Sequence, residues 1–223
     1  MEKNDEYTDC LGFDFEPDAV IVGGGDFPSH RVPLQLLHEC DKIVCCDGTA
    51  NQWPADEKRP WQIVGDGDSL SPEAKEKFAD IITLSPDQET NDQTKAVKYI
   101  AEKGLRKIAI VGATGRREDH TIGNISLLME YFHEGITARI YTDHGVFIPC
   151  KDNTTFRCPL RTAVSIFSFG TQGMTSEGLA YPLYDLKSWW QGTLNHTCAE
   201  TFSISCRGEY LVFLNYENKK IRE

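Results

Sequence analysis

The chain has 223 residues, with 34 acidic against 23 basic side chains and a formal net charge of −11. Hydrophobic residues at 40% and charged residues at 26% exclude wholesale disorder, and no stretch approaches the ~20 apolar residues that a membrane span needs. The acidic excess excludes general affinity for nucleic acid or an anionic membrane, because phosphate binding needs a surplus of Lys and Arg.

Residues 1–17 read as an acidic leader without the apolar core of a signal or transit peptide, so a cytoplasmic protein is expected. Ala19–Val22 reads as a strand running into Gly23-Gly24-Gly25, followed by helical spacing over Val32–Cys40. Lys42–Cys46 is a second strand ending at Asp47-Gly48, and Trp61–Val64 a third ending at Gly65-Asp66-Gly67-Asp68. Ser71 and Pro72 have the chemistry of an N-cap and a first helical residue, opening a helix to about residue 79. Ile81–Leu84 is a fourth strand. Asn91 or Asp92 then caps a helix that Gly104 ends. Lys107–Val111 is a fifth strand, broken by Gly112-Ala113-Thr114-Gly115; a helix from Asp119 to about His133 and a strand at Ala138–Tyr141 follow.

This alternation predicts an α/β domain over residues 18–144 with a largely parallel open sheet. Beyond it come short β-type runs: Gly145–Pro149, Thr154–Cys158, Ala163–Phe169, Glu200–Cys206 and Tyr210–Asn215. They predict an all-β sandwich over residues 145–223. The eight cysteines are not spaced as CxxC, and without a secretory signal they are expected to be free thiols rather than a disulfide framework.

Six aspartates fall in the loops that leave the strands. Asp26, Asp47, Asp66 and Asp68 follow strand ends, while Asp92 and Asp119 stand at helix starts. In an open α/β sheet these loops share one edge, where ligands bind. Gathered like charges raise one another's pKa unless a cation joins them, and a hard divalent ion such as Mg²⁺ commonly bridges carboxylates to substrate phosphates. Helix capping and Asx turns are the competing explanation for Asp26 and Asp92. The two glycine turns have little side-chain bulk and could offer backbone N–H groups to phosphate, with Arg116 and Arg117 beside the second. Neither turn matches G-x-G-x-x-G or the P-loop, which counts against a dehydrogenase or a P-loop NTPase. His120 is expected to position rather than to exchange protons with Asp119, since adjacent helical residues do not face each other.

Five segments in order resemble the thiamine pyrophosphokinase family. They are Gly23-Gly24-Gly25, Asp47-Gly48-Thr49-Ala50-Asn51, Gly65-Asp66-Gly67-Asp68-Ser69, Asp87-Gln88-Glu89-Thr90-Asn91-Asp92, and Gly112 through His120 with the later Asn124. Two places depart from the family pattern: Asn91 stands where Thr is frequent, and of a thiamine-contacting Ser-Asn pair only Asn195 matches. Trp189 and Trp190 nearby could offer a face to cationic thiamine, but core or interface anchoring is the favoured role.

The resemblance implies transfer of the diphosphate of ATP to the hydroxyethyl group of thiamine, giving thiamine diphosphate and AMP, in a homodimer. On that basis Asp66, Asp68 and Asp92 are expected to hold Mg²⁺, with Asp47 and Asp119 near the metal or the substrate hydroxyl. Gly24, Gly25, Asn51, Gly112, Gly115, Arg117, His120 and Asn124 are expected on the nucleotide, and Gln88 and Asn195 on thiamine. Two other functions stay open: a Mg²⁺-dependent phosphotransferase with another alcohol acceptor, and a non-catalytic sensor of nucleotide or thiamine diphosphate.

Overall fold

A computed structural model describes residues 8–9 and 15–218. The chain divides into two units, residues 16–143 and the residues from 144 onward together with those before 16. In chain order the elements are β1 (Thr8–Asp9), β2 (Ala19–Val22), α1 (Arg31–Glu39), β3 (Ile43–Cys46), β4 (Gln62–Gly65), α2 (Pro72–Lys77), β5 (Ile82–Leu84), α3 (Asp92–Glu102), β6 (Lys107–Val111), α4 (Glu118–His133) and β7 (Thr137–Tyr141). The second unit continues with β8 (Gly145–Lys151), β9 (Thr154–Arg157), β10 (Thr162–Ser168), β11 (Gln172–Glu177), β12 (Asn195–His196), β13 (Thr201–Arg207) and β14 (Glu209–Asn218).

In the α/β unit the strands run β7-β6-β2-β3-β4-β5, and every pairing is parallel. Parallel strands covered on both faces need continuous apolar runs, and Ala19–Val22 and Ile43–Cys46 are buried at every position. The chain walks outward from β2 to β5, then returns to lay β6 on the other side of β2. The gap between the β2 and β6 C-terminal ends is therefore the topological switch point, the place where such sheets open a crevice.

Local chemistry fixes the helix starts around that crevice. The Ser71 hydroxyl accepts from the Ala74 amide at 3.2 Å with Pro72 behind it, and Asn91 Oδ1 accepts from the Thr94 amide at 2.9 Å. Helix α3 stops where Gly104 takes φ +79°. Helix α1 begins at Arg31 because His30 Nδ1 accepts the Val32 amide at 3.3 Å. The Asp143 carboxylate accepts the amides of Ser29 and His30 at 2.9 and 3.0 Å, clamping the entry to α1 beside the end of β7.

The second unit has two sheets and forms a β-sandwich. One runs β12-β10-β14-β8 with antiparallel pairings; the other runs β11-β13-β9 antiparallel, with β1 added parallel to β9. Part of the acidic segment read as a leader, Thr8–Asp9, is thus a strand of this unit. Burial alternates along β10, and Phe156 and Phe202 stack at 4.8 Å within the core. Strands β11 and β12 escape the sequence reading: β11 buries only Met174, so it lacks an alternating apolar signal, and β12 has two residues.

The expectation of free thiols is corrected at one position. Cys158 is disulfide-bonded, whereas Cys40, Cys45, Cys46, Cys150, Cys198 and Cys206 form no disulfide. Spacing along the chain does not reveal which residues the sheets bring together. Cys10 lies outside the described residues.

Candidate active site

A cleft of about 580 Å³ opens at the C-terminal edge of the parallel sheet, lined by the loops after β2, β3, β4, β5 and β6 and the first turns of α3 and α4. Its floor at the switch point is two interlocked backbones. The Gly23 amide donates to Val111 O at 2.8 Å, Gly25 to Gly112 O at 2.6 Å and Asp26 to Thr114 O at 2.8 Å. A Cβ on Gly25 would stand 2.1 Å from Thr114 O, so glycine is required for this approach. The amides of Gly23 and Gly25 are thereby engaged between the turns rather than offered to a ligand. Gly24 is exposed and faces the cleft. Gly112 and Gly115 hold φ of +62° and +98°, and Gly115 lies against the Asp26 carboxylate, which also approaches Arg116 Nε at 3.6 Å.

The acidic loops converge on a lysine. Lys95, in the first turns of α3, is 5% exposed and places Nζ 3.2 Å from Asp66 Oδ2 and 3.3 Å from Asp92 Oδ1. Burial pulls the ammonium pKa down, but the hydrogen bonds to the two carboxylates outweigh it and leave Lys95 above its usual value. The Asp68 amide, then Lys95, hold Asp66 below the ordinary carboxylate range. Asp47 is 1% exposed: its Oδ2 accepts the Ser69 amide at 3.1 Å, while Oδ1 is buried without a hydrogen-bond partner. Burial pushes the Asp47 carboxyl up, and the charges of Asp92 and Asp66 add to the effect. Asp68 is exposed and does not line the cleft; its backbone, rather than its carboxylate, supports Asp66.

The facing wall is basic and polar. Arg116 donates to Gly24 O at 3.2 Å, and Arg117 grips Asp119 with bonds of 3.1 and 2.6 Å, holding that carboxyl down at about 2. Asp119 is therefore the anchor of Arg117. His120 lines the cleft. Asn124, on α4, ties the loops after β5 and β6 together, donating to Ala113 O at 2.8 Å and accepting from Asn91 Nδ2 at 2.9 Å. Asn51 does the same for another pair, donating to Ser69 O at 2.7 Å and accepting the Ser71 amide at 2.8 Å. Gln88 reaches Asp66 Oδ2 at 3.5 Å. In the second unit Asn195 is 4% exposed; its amide accepts from Tyr181 N and His196 N and donates to Tyr181 O, so this side chain staples its own unit. Trp189 packs against Phe167 and Phe169, and Trp190 is 74% exposed.

Among the site residues not expected from the sequence, Lys95 stands out. It shares the buried face of α3 with Ala96, Val97 and Ile100, and a lysine on such a face needs an anionic partner. Thr49, whose hydroxyl donates to Gly23 O at 3.0 Å, and Thr114 also line the cleft.

Residues 34–140 match the family profile described as thiamin pyrophosphokinase, catalytic domain, and residues 145–213 match the profile of the substrate-binding domain of the same enzyme. The chain belongs to the thiamin pyrophosphokinase family. Thiamine pyrophosphokinase 1 of Oryza sativa subsp. japonica is 35% identical over 138 residues, covering 51% of this chain and 52% of the relative. Thiamine pyrophosphokinase 2 of Arabidopsis thaliana is 30% identical over 122 residues, covering 43% and 46%. The chain spans about half the length of these curated relatives. The thiamin pyrophosphokinase from Candida albicans superposes with a TM-score of 0.75 over 95% of this chain and 93% of that one at 19% identity. The crystal structure from Bacillus subtilis gives 0.73 over 91% and 99% at 20% identity. These superpositions show that the family's fold is this one. The cleft lies in the unit that carries the catalytic-domain match.

The oxygen donors suit Mg²⁺. This ion is held by one or two carboxylates together with substrate phosphates rather than by an all-protein cage. Among the described residues no group of three or more His, Cys, Asp or Glu side chains is set to hold a metal. Asp66 and Asp92 supply the pair of carboxylates that meet at one point, and Asp47 Oδ1 is an uncommitted oxygen nearby in the same cluster of interacting charges.

Proposed function

We propose that this chain is a thiamine diphosphokinase, which transfers the diphosphate of ATP to the hydroxyethyl oxygen of thiamine and releases AMP. The observation that carries the reading is the switch-point cleft, in which a carboxylate pair faces an arginine-lined wall within a unit matching the family's catalytic domain. Transfer at the β-phosphorus needs the acceptor oxygen in line with the departing AMP oxygen, so positioning and charge neutralisation are the protein's main contributions.

Asp66 and Asp92 would hold Mg²⁺, which when bound neutralises polyphosphate charge and polarises the transferred group. Asp47, 1% exposed and set behind the cleft wall rather than lining it, would contribute to the metal or help orient the substrate hydroxyl. Arg117, fixed by Asp119, stabilises phosphate charge, while Arg116, His120 and the Gly24 and Thr114 backbones border the nucleotide. Asn51, Gly112, Gly115 and Asn124 keep these loops in register. Gln88, beside Asp66, would present its amide to thiamine; Asn195 would act by shaping the second unit. The role of Asp68 is to hold Asp66 through its amide. A homodimer is what the family resemblance implies, and a cytoplasmic setting is what the acidic composition suggests. Among the described residues no helix is long and apolar enough to cross a membrane.

The test is incubation of the purified chain with ATP, Mg²⁺ and thiamine, followed by chromatography. Equal amounts of AMP and thiamine diphosphate are expected. Release of ADP, or binding without either product, overturns the reading.

A further inference from the structure

The carboxylate pair already has a cation between its members. The Lys95 side chain is 3% exposed, against 22% for Asp66 and 38% for Asp92, so a buried ammonium faces two carboxylates that open onto the cleft. It touches one oxygen of each. Asp66 Oδ1 is engaged by the Asp68 amide and Oδ2 also meets Gln88, so little is left on Asp66 that is not already paired. Lys95 is rooted in a helix whose next two positions, Ala96 and Val97, are fully buried and whose start is capped by Asn91, so its stem has little freedom to withdraw. Asp47 belongs to the same cluster of interacting carboxylates, and Arg116 and Arg117 line the cleft.

From this geometry we infer that Lys95 is a resident counter-ion, a positioning residue that keeps Asp66 and Asp92 converged before ligands bind and makes divalent-cation binding depend on polyphosphate. A free divalent ion approaching the pair must displace or crowd an ammonium whose two ion-pair partners are that same pair. An ion arriving with polyphosphate brings that anion, so the carboxylates turn to the metal while Nζ turns to a phosphate oxygen, and no buried charge is left alone. Binding of the two ligands is then coupled, and each strengthens the other by the same factor.

This inference rests on the cleft being the nucleotide site, but its test requires no turnover. Mn²⁺ alone is titrated into the protein and followed by electron paramagnetic resonance, with and without a non-hydrolysable ATP analogue. Wild type is expected to bind Mn²⁺ weakly alone and at least about tenfold more tightly with the analogue, after allowing for the Mn²⁺–analogue equilibrium in solution. Lys95→Met should bind Mn²⁺ alone about tenfold or more tightly than wild type, because two carboxylates are left uncompensated, and should lose most of the coupling. Lys95→Arg keeps a cation and should stay near wild type. Mn²⁺ binding to Lys95→Met that equals or falls below wild type, with a preserved circular dichroism spectrum, overturns the inference. So does wild-type protein in which the analogue leaves Mn²⁺ affinity unchanged, a result that stands even if Lys95→Met does not fold. Formation of AMP and thiamine diphosphate alongside either negative result would leave the enzymatic reading intact and this one refuted.

Discussion

Asp47→Asn separates folding from chemistry because the two should move in opposite directions. The wild-type carboxylate is 1% exposed, has one oxygen without a partner, and feels the negative charges of Asp66 and Asp92. A buried unsatisfied acceptor costs about 1–3 kcal/mol, and more when charged. The Asn oxygen can keep the bond from the Ser69 amide, now 3.1 Å, while its NH₂ replaces the orphaned oxygen and carries the smaller penalty of a neutral group. The net gain in stability at neutral pH is about 1 kcal/mol, or a rise of about 3 °C in Tm.

The pH dependence gives the sign. Because the folded-state pKa of Asp47 lies above its unfolded value, the ionised group opposes folding at neutral pH, and that cost fades as pH falls through the folded pKa. The advantage of Asp47→Asn should therefore be largest near pH ~8 and shrink toward pH ~4.5, as the carboxylate range is approached. Thermal melts followed by circular dichroism at the two pH values measure it. Turnover, assayed as AMP formed, should fall at least about a hundredfold, since a neutral amide removes a negative charge coupled to the carboxylates that would hold Mg²⁺. A variant that melts several degrees below wild type at neutral pH, or whose Tm difference is the same at both pH values, refutes the electrostatic argument.

Other substitutions test the frame of the cleft. Gly25→Ala forces a methyl to within 2.1 Å of Thr114 O and 2.6 Å of Gly112 O, backbone atoms that cannot step aside locally. It should cost on the order of 3 kcal/mol and show as a lower midpoint in urea. Asn124→Ala removes the bonds to Ala113 O and from Asn91 Nδ2, so a loss of about 1–3 kcal/mol is expected in denaturant melts, together with weaker nucleotide binding by calorimetry. Arg117→Ala breaks an exposed pair and should leave Tm within a degree or so while lowering turnover about ten- to a hundredfold. Because Arg117 holds Asp119 down to about 2, the wild-type activity profile should show no acid limb from Asp119 above about pH 4.

The α/β unit was largely legible because its signals are local. Continuous apolar runs such as Val20–Val22 and Ile43–Cys46 mark doubly covered strands; Ser71-Pro72 and Asn91 mark helix starts, and glycines mark the turns between. Once those elements alternate, the rule that parallel sheets gather their exit loops at one edge places Asp47, Asp66 and Asp92 together. The sequence, by itself, thus determined which loops meet and that their meeting place is acidic. It did not determine how the charges there are balanced. That Lys95 bridges two carboxylates, that Asp119 is committed to Arg117, that Asp68 contributes its amide, and that Asn195 is spent on its own unit all depend on side-chain directions. Those directions are set by packing between segments tens of residues apart. The Cys158 disulfide and the polar strand β11 were decided in the same way. Periodicity and capping are properties of a few neighbouring residues, whereas the pairing of a charge or a thiol is a property of the assembled fold.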